Sequence, residues 1–336
     1  MTFLGIVTPA PRGSRTGNRV TALRWAALLR SLGHRVRVTT AYAGESFDGL
    51  IALHAVKSAG SVSAFKRNCP ARPVLAALTG TDVFQDGSSV AELNETLRVS
   101  DRVIALQHDM ARAVPVAYRH KVRVILQSFA PPADLPAPHA DAFEVCVLGH
   151  LRAVKDPFLT AKAVRSLPPE SRVRVLHLGG ALSPEFADEA RREEVANPRY
   201  RWMGEVPRPA AVRALAGCRL LVMTSRSEGG PSAVSEAVGC GVPVLSTPTS
   251  GVVGLLGENY PGYFPFGDCA ALKTLLLRCE ADAEFLAGLR TECNAIRPLL
   301  APAAERRAWQ ELLAEVGLPS PIPAGDPERR CGQENI

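Results

Sequence analysis

No run of about 18 apolar residues occurs anywhere in the chain, so no membrane span is expected. The opening stretch MTFLGIVTPAPRG has too short an apolar run, and no leading cation, for a secretory signal. Eight cysteines stand singly at 69, 146, 218, 240, 269, 279, 293 and 331, and none forms a CxxC pair. They read as small buried hydrophobes in a reducing cytosol, and a cytoplasmic location is the expectation. No long basic run appears either. The formal net charge of +6 is modest, and an anionic small substrate explains it as well as a nucleic acid does. No nucleic-acid partner is therefore expected. The GxGxxG fingerprint is missing after the first strand, and no acidic residue ends the second strand, HRVRVTT. Both absences argue against a nicotinamide-dependent enzyme. No DxD-type carboxylate pair stands at a strand end to hold a metal, so no metal is expected, and no cofactor is expected either.

What remains is an ordinary globular composition, 46% hydrophobic and 21% charged, in a 336-residue chain long enough for two domains. Strand-like and helix-like segments alternate. FLGIVTP, HRVRVTT, FDGLIALHA, RPVLAAL, RVIALQ and KVRVILQS read as strands, with helices at Asn18–Leu32, near Lys57–Arg67 and near Val90–Val99. APPADLPAPHAD, Ala130–Asp141, reads as a linker. The alternation then restarts with FEVCVLGH, RVRVLHLG, YRWMG, CRLLVMTS and GVPVLS as strands. Strands separated by helices predict parallel sheets covered on both faces. The chain is read as two doubly wound α/β domains, 1–135 and 142–300, facing across a cleft. A helix over 301–317 is expected to pack back toward the first domain, and the proline-rich end, 318–336, reads as a disordered tail.

One stretch, SRSEGGPSAVSEAVGCGVPVLS (Ser225–Ser246), brackets a glycine turn with two carboxylates, Glu228 and Glu236. Gly229, Gly230, Pro231 and Ser232 form a turn between an apolar strand and a helix over Pro231–Val238. Such a turn lies at the carboxyl end of a strand, where open α/β sheets bind ligands. The first N–H groups of the helix have no internal partner and suit a phosphate. Carboxylates accept hydrogen bonds only, so their ligand partners are hydroxyls. A phosphate flanked by polyols is a sugar nucleotide. The bland alternative is an ordinary turn with two solvated glutamates.

Other turns carry charge at strand ends. VLGHLRAVKDP places His150, Arg152 and Lys155 beside a glycine turn, which suits a diphosphate. TPAPRGSRTGNRV places Arg12, Arg15, Gly17, Asn18 and Arg19 directly after the first strand, where an anion could sit at the start of a helix. Two further loops bring His54 and Lys57, and then Thr79, Gly80, Thr81 and Asp82, to the same sheet edge. His54 could equally be a satisfied core histidine, and Asp82 could simply cap the following helix.

GHLRAVKD and EGGPSAVSE on two such domains resemble glycosyltransferase family 4 of the GT-B fold, two Rossmann-like domains. The resemblance implies that Glu236 binds the ribose of the donor and Glu228 touches its sugar. It also implies that Arg152 and Lys155 hold the diphosphate. The chain departs from the family's G-R-L-x-x-x-K-G pattern: His150 stands at the arginine position and Asp156 at the final glycine. A narrower resemblance, carried by TPAPRGSRTGNRVTALRWAALLRSLGHRV, ALTGTDVF, VILQS and GHLRAVKDPF, is to the selenosugar synthases of selenoneine biosynthesis. It implies UDP-N-acetylglucosamine or UDP-glucose as donor, selenophosphate as acceptor and a 1-seleno sugar as product. On this reading Arg152, Lys155 and Glu228 are catalytic. His150, Gly229–Ser232 and Glu236 bind the donor, and the arginine loop, His54, Lys57 and Thr79–Asp82 bind the acceptor. Transfer to another small acceptor, a sugar-nucleotide epimerase or phosphorylase of the same fold, and a non-catalytic sugar-nucleotide binder are the alternatives.

Overall fold

The computed structural model describes residues 1–14, 16–84 and 90–321. In chain order the elements are β1 (Phe3–Val7), α1 (Gly17–Ser31), β2 (Arg35–Thr39), β3 (Gly49–Leu53), α2 (Ala59–Asn68), β4 (Val74–Ala77), α3 (Thr81–Phe84), α4 (Val90–Val99), β5 (Arg102–Ala105), α5 (His108–Ala113) and β6 (Val122–Val124). They continue with β7 (Phe143–Leu148), α6 (Leu159–Arg165), β8 (Val173–Leu178), α7 (Pro184–Ala196), β9 (Tyr200–Trp202), α8 (Arg208–Ala216), β10 (Leu220–Met223), α9 (Ser232–Gly239), β11 (Val244–Ser246), α10 (Ser250–Leu256), α11 (Cys269–Ala281), α12 (Ala283–Ile296) and α13 (Pro302–Glu315). The short helices α3, α5 and α10 were not expected from the sequence. Among the described residues, no helix is long and apolar enough to cross a membrane.

The chain divides into two compact units. The first holds Met1–Leu106, Met110–Leu126 and the chain from Ala303 onward; the second holds Gln107–Asp109 and Gln127–Pro302. Among the described residues the first unit is built on a parallel sheet in the order β2-β1-β3-β4-β5-β6. Alternate side chains sort to its two faces, as the strand period demands. Leu4, Ile6, Ile51 and Leu53 pack with Trp25, Ala26 and Leu29 of α1, while Val7, Leu50, Ala52 and Val74 pack with Phe47 and Phe65. The second unit holds a parallel sheet in the order β11-β10-β7-β8-β9. In each sheet the order reverses once, between β1 and β3 and between β7 and β10. Such a switch point parts the loops at the carboxyl ends and leaves a crevice.

The first unit is completed by α13, from the far end of the sequence. Trp309 meets Trp25 edge to face, ring centroids 4.9 Å apart. Glu305, 1% exposed, accepts two hydrogen bonds from the Arg24 guanidinium at 2.5 Å and one from Trp25 Nε1 at 3.1 Å. Leu318 joins the same core, and Ser320 Oγ lies 3.2 Å from His34 Nε2. The stretch expected to be a free tail thus begins with fixed residues; residues 322–336 lie outside the described ones. Removing one partner of a buried ion pair strands the other, at about 3–5 kcal/mol. Arg24 keeps 22% of its side-chain exposure, so Glu305→Ala should cost the lower end, about 3 kcal/mol. A lowered urea midpoint checks this; an unchanged midpoint would show that α13 docks without the pair.

Candidate active site

In the second unit β7 ends at Leu148, and the chain turns through Gly149–Asp156. The turn is stitched to the end of β8. Gly149 N–H donates to Leu178 O at 2.9 Å, Leu151 N–H to Gly180 O at 3.0 Å, and Gly180 N–H to His150 Nδ1 at 3.1 Å. His150 therefore braces the turn through its ring. Asp156 closes the turn in the left-handed region, φ 41° and ψ 61°. Aspartate is one of the few side chains that tolerate this region, which glycine enters freely. The departure from the family's glycine thus preserves the backbone path. Thr224 Oγ1, in the strand end next door, hydrogen-bonds to Lys155 O at 2.7 Å and Asp156 O at 2.9 Å. The turn presents Lys155 half-buried and Arg152 exposed.

The loop after β10 meets this turn. Lys155 Nζ donates to Glu228 Oε1, and Ser225 Oγ donates to the same oxygen at 2.6 Å. The Glu228 backbone is fixed by α10, where a Cβ on Gly251 would collide with the Glu228 carbonyl. Gly229 and Gly230 are half-buried, Pro231 caps α9, and Ser232 is exposed. Two of the helix's first N–H groups are already taken, since Ser232 donates to Gly230 O and Val234 to Pro231 O. They are not the ligand donors that the sequence suggested. From Ala233 to Gly239 every residue of α9 is buried, Glu236 among them. Burial raises the Glu236 carboxyl above its ordinary 4.5, against the charge and hydrogen bonds of Arg208. Arg208 donates from Nε at 3.0 Å and Nη2 at 2.8 Å, both to Oε1. Oε2 accepts from none of the described residues. The guanidinium also sits 5.8 Å from the Phe129 ring, which Gly239 admits against the helix. Arg208, Ser225 and Thr224 were missed in the sequence. Arg208 lies 28 positions from Glu236, and no local pattern links them. Gly149, His150, Lys155, His177, Thr224 and Ser225 line a crevice at the β7–β10 switch point.

In the first unit Gly17, Asn18 and Arg19 form the first turn of α1, whose N-cap, Thr16, makes no side-chain cap. The Arg19 Nε and Nη1 atoms are buried with no hydrogen-bond partner among the described residues. Arg15 lies outside the described residues. Lys57 and Thr81 are exposed, and Thr79 is half-buried. Two candidates change role. Asp82 is fully buried and accepts backbone N–H groups from Ala55 at 2.9 Å, Thr79 at 2.9 and 3.2 Å, and Gly80 at 2.9 Å. It ties the loop after β3 to the loop after β4 and does not reach out to a sugar hydroxyl. His54, 4% exposed and at φ 66°, has both ring nitrogens engaged, Nε2 with Thr81 Oγ1 at 3.1 Å and Nδ1 with Lys57 N–H at 3.3 Å. Burial lowers its pKa, against the Asp82 charge. It is a satisfied histidine that shapes the edge.

Residues 136–290 match the family described as glycosyl transferases group 1. The second unit therefore resembles a group 1 glycosyl transferase domain. Similar solved structures extend over nearly the whole chain. The Anabaena protein HepE, crystallised with UDP and glucose, is 17% identical, with a TM-score of 0.74 over 94% of this chain and 100% of that one. The lipopolysaccharide outer core galactosyltransferase WaaB is 12% identical, TM-score 0.69, over 94% and 99%. Sucrose-phosphate synthase from Thermosynechococcus elongatus is 15% identical, TM-score 0.71, over 94% and 97%. The fold is GT-B, with two parallel-sheet α/β units. In the second unit the turn after β7 carries two cations, Arg152 and Lys155, and the loop and helix after β10 carry two carboxylates, the half-buried Glu228 and the buried Glu236. No group of three His, Cys, Asp or Glu side chains among the described residues is placed to hold a metal ion.

Arg208→Ala should expose the cost of burying Glu236. With its proton held above the ordinary 4.5 in the folded state, Glu236 contributes most below that value. The contribution is lost as pH rises through the folded value, and more is lost without Arg208. Arg208 is 56% exposed, so screening limits the difference to about 1 kcal/mol. The gap in urea midpoint between variant and wild type should be small near pH 4.5 and widen toward neutral pH. A gap independent of pH would show that Arg208 stabilises by packing alone.

Proposed function

We propose that the chain is a glycosyltransferase that moves a sugar from UDP-N-acetylglucosamine or UDP-glucose to the selenium of selenophosphate. The observation that carries the donor half is the pairing of Glu228 with Lys155 at the switch-point crevice, followed by that of Glu236 with Arg208 on the next helix. Structures of HepE hold UDP with glucose and UDP-glucose. Glu236 accepts the ribose hydroxyls through its remaining oxygen. Glu228 meets the donor sugar, and Lys155 and Arg152 hold the diphosphate. Fixed donors at a leaving group lower the barrier because its charge grows as the bond breaks.

The acceptor half rests on the likeness of the first unit's loops to the selenosugar synthases. The start of α1, whose N-cap makes no side-chain cap, and the Arg19 nitrogens, buried with no partner among the described residues, support an anionic acceptor. Selenium attacks the anomeric carbon, the bond from that carbon to the UDP oxygen breaks, and UDP leaves. Water then cleaves the P–Se bond, releasing phosphate and the 1-seleno sugar. Selenium enters as an ionised nucleophile, so the first step needs cationic placement more than a general base. Arg15, Gly17, Asn18, Arg19, Lys57 and Thr79–Thr81 offer that placement, and His54 and Asp82 hold their loops.

Incubation with each UDP-sugar and selenophosphate should give a sugar with a selenium isotope pattern in its mass spectrum. UDP release without it would point to another acceptor, and an epimerised nucleotide to an epimerase. Lys155→Ala should lower turnover about 100- to 1000-fold. Arg19→Ala should raise the Michaelis constant for selenophosphate and leave UDP affinity unchanged. A variant that lost UDP binding and kept its acceptor constant would reverse the assignment of donor and acceptor units.

A further inference from the structure

His177 lies in the middle of the apolar run that forms β8, 1% exposed, and takes no part in the chemistry above. Its ring is held at both nitrogens: Nε2 is 3.2 Å from Gly149 O and Nδ1 is 3.0 Å from Tyr200 OH. A carbonyl oxygen only accepts, so Nε2 carries the hydrogen and Nδ1 accepts from the phenol. Burial supports the same assignment. It pushes the His177 pKa down to about 4, keeping the ring neutral, and pushes the Tyr200 phenol up, keeping it a donor. The tautomer is therefore fixed by Tyr200, in β9, and read out on Gly149, at the head of the turn after β7.

A planar trans peptide points its C=O and the next residue's N–H in opposite directions, and no peptide among the described residues is cis. Holding Gly149 O toward β8 turns the His150 N–H away from β8. That N–H donates to none of the described residues, whereas the neighbouring Gly149 and Leu151 N–H groups both donate to β8 and the segment after it. Gly179 and Trp202 complete the brace. A Cβ on Gly179 would overlap the Gly149 carbonyl, and Trp202 Nε1 donates to Gly179 O at 2.8 Å.

We propose that His177, set by Tyr200, is a positioning residue that aims the His150 backbone N–H at a phosphate oxygen of the nucleoside diphosphate. The proposal rests on the reading that the diphosphate lies at the Gly149–Asp156 turn. The N–H supplies a fixed dipole beside Lys155, and a misaimed peptide forfeits it. Uridine, without phosphates, does not use the contact.

Calorimetry with UDP and, by ligand-detected NMR, with uridine tests this on the full chain. His177→Leu should weaken UDP about tenfold and leave uridine unchanged. His177→Gln, which keeps an N–H near the Nε2 position, should recover most of the loss. Lys155→Ala serves as the control: if it binds UDP like wild type, the diphosphate is elsewhere and both readings fall. If Lys155→Ala weakens UDP but folded His177→Leu does not, or weakens UDP and uridine alike, this proposal alone falls and His177 is a core histidine. Should His177→Leu fail to fold, Tyr200→Phe decides. Weaker UDP with unchanged uridine supports the proposal, and unchanged UDP overturns it.

Discussion

Parallel pairing sends the strands of a sheet in one direction, so every loop that leaves a carboxyl end gathers on one edge. Both units obey this constraint, and the candidate residues depend on it. In the second unit the loops after β7 and β10 part at the switch point, and the groups that meet there come from positions 149–155 and 224–228. Bringing carboxylates into such an edge removes them from water, and a carboxylate so placed needs a cation or several N–H groups. Glu228 receives Lys155 and Ser225, Glu236 receives Arg208, and Asp82 in the first unit receives backbone alone. The same requirement, met in three ways, separates groups that still have an oxygen to offer from one that has none.

The alternation of apolar strands with helices, and the glycine turns that end the strands, were legible in the sequence because both are local. Gly149, Gly229 and Gly230 stand where a turn must pass, and the two-sheet architecture follows from period and order. Partnerships were not legible. Arg208 belongs to the start of a helix whose sequence, RPAAVRALA, gives no hint of Glu236. Asp82 looked like a group for a ligand because a polar residue after a strand usually faces solvent. The N–H groups that surround it converge only once the loops after β3 and β4 lie side by side. The helix α10 hid for a related reason. SGVVGLL has glycines where Glu228 and Gln107 approach, so it shows no clean helical stripe.

Departures from a motif are informative when backbone and side chain are judged separately. At Asp156 the family's glycine supplies a conformation, and aspartate supplies the same one. At His150 the family's arginine supplies a guanidinium, whereas the histidine ring turns its Nδ1 back to accept from Gly180. Of the turn's cations, Lys155, which lines the crevice, is already paired, and Arg152 is exposed. A turn with less mobile charge relies more on fixed backbone dipoles, which gives the orientation of the Gly149–His150 peptide its weight.

If the first unit meets the acceptor, as proposed, what its edge has already committed bears on the acceptor's chemistry. A hydroxyl acceptor needs a base to take its proton in the transition state. Among the described residues, the His and Asp side chains leaving β3 and β4 are His54 and Asp82. Both ring nitrogens of His54 are engaged, and both oxygens of Asp82 accept backbone N–H groups. Neither is free to act as that base without dismantling the loops. Among the described residues, Lys57 follows β3 and Arg19 opens α1. An acceptor that arrives as an anion, with its nucleophilic atom already ionised, asks for charge and placement and for nothing that this edge has used up.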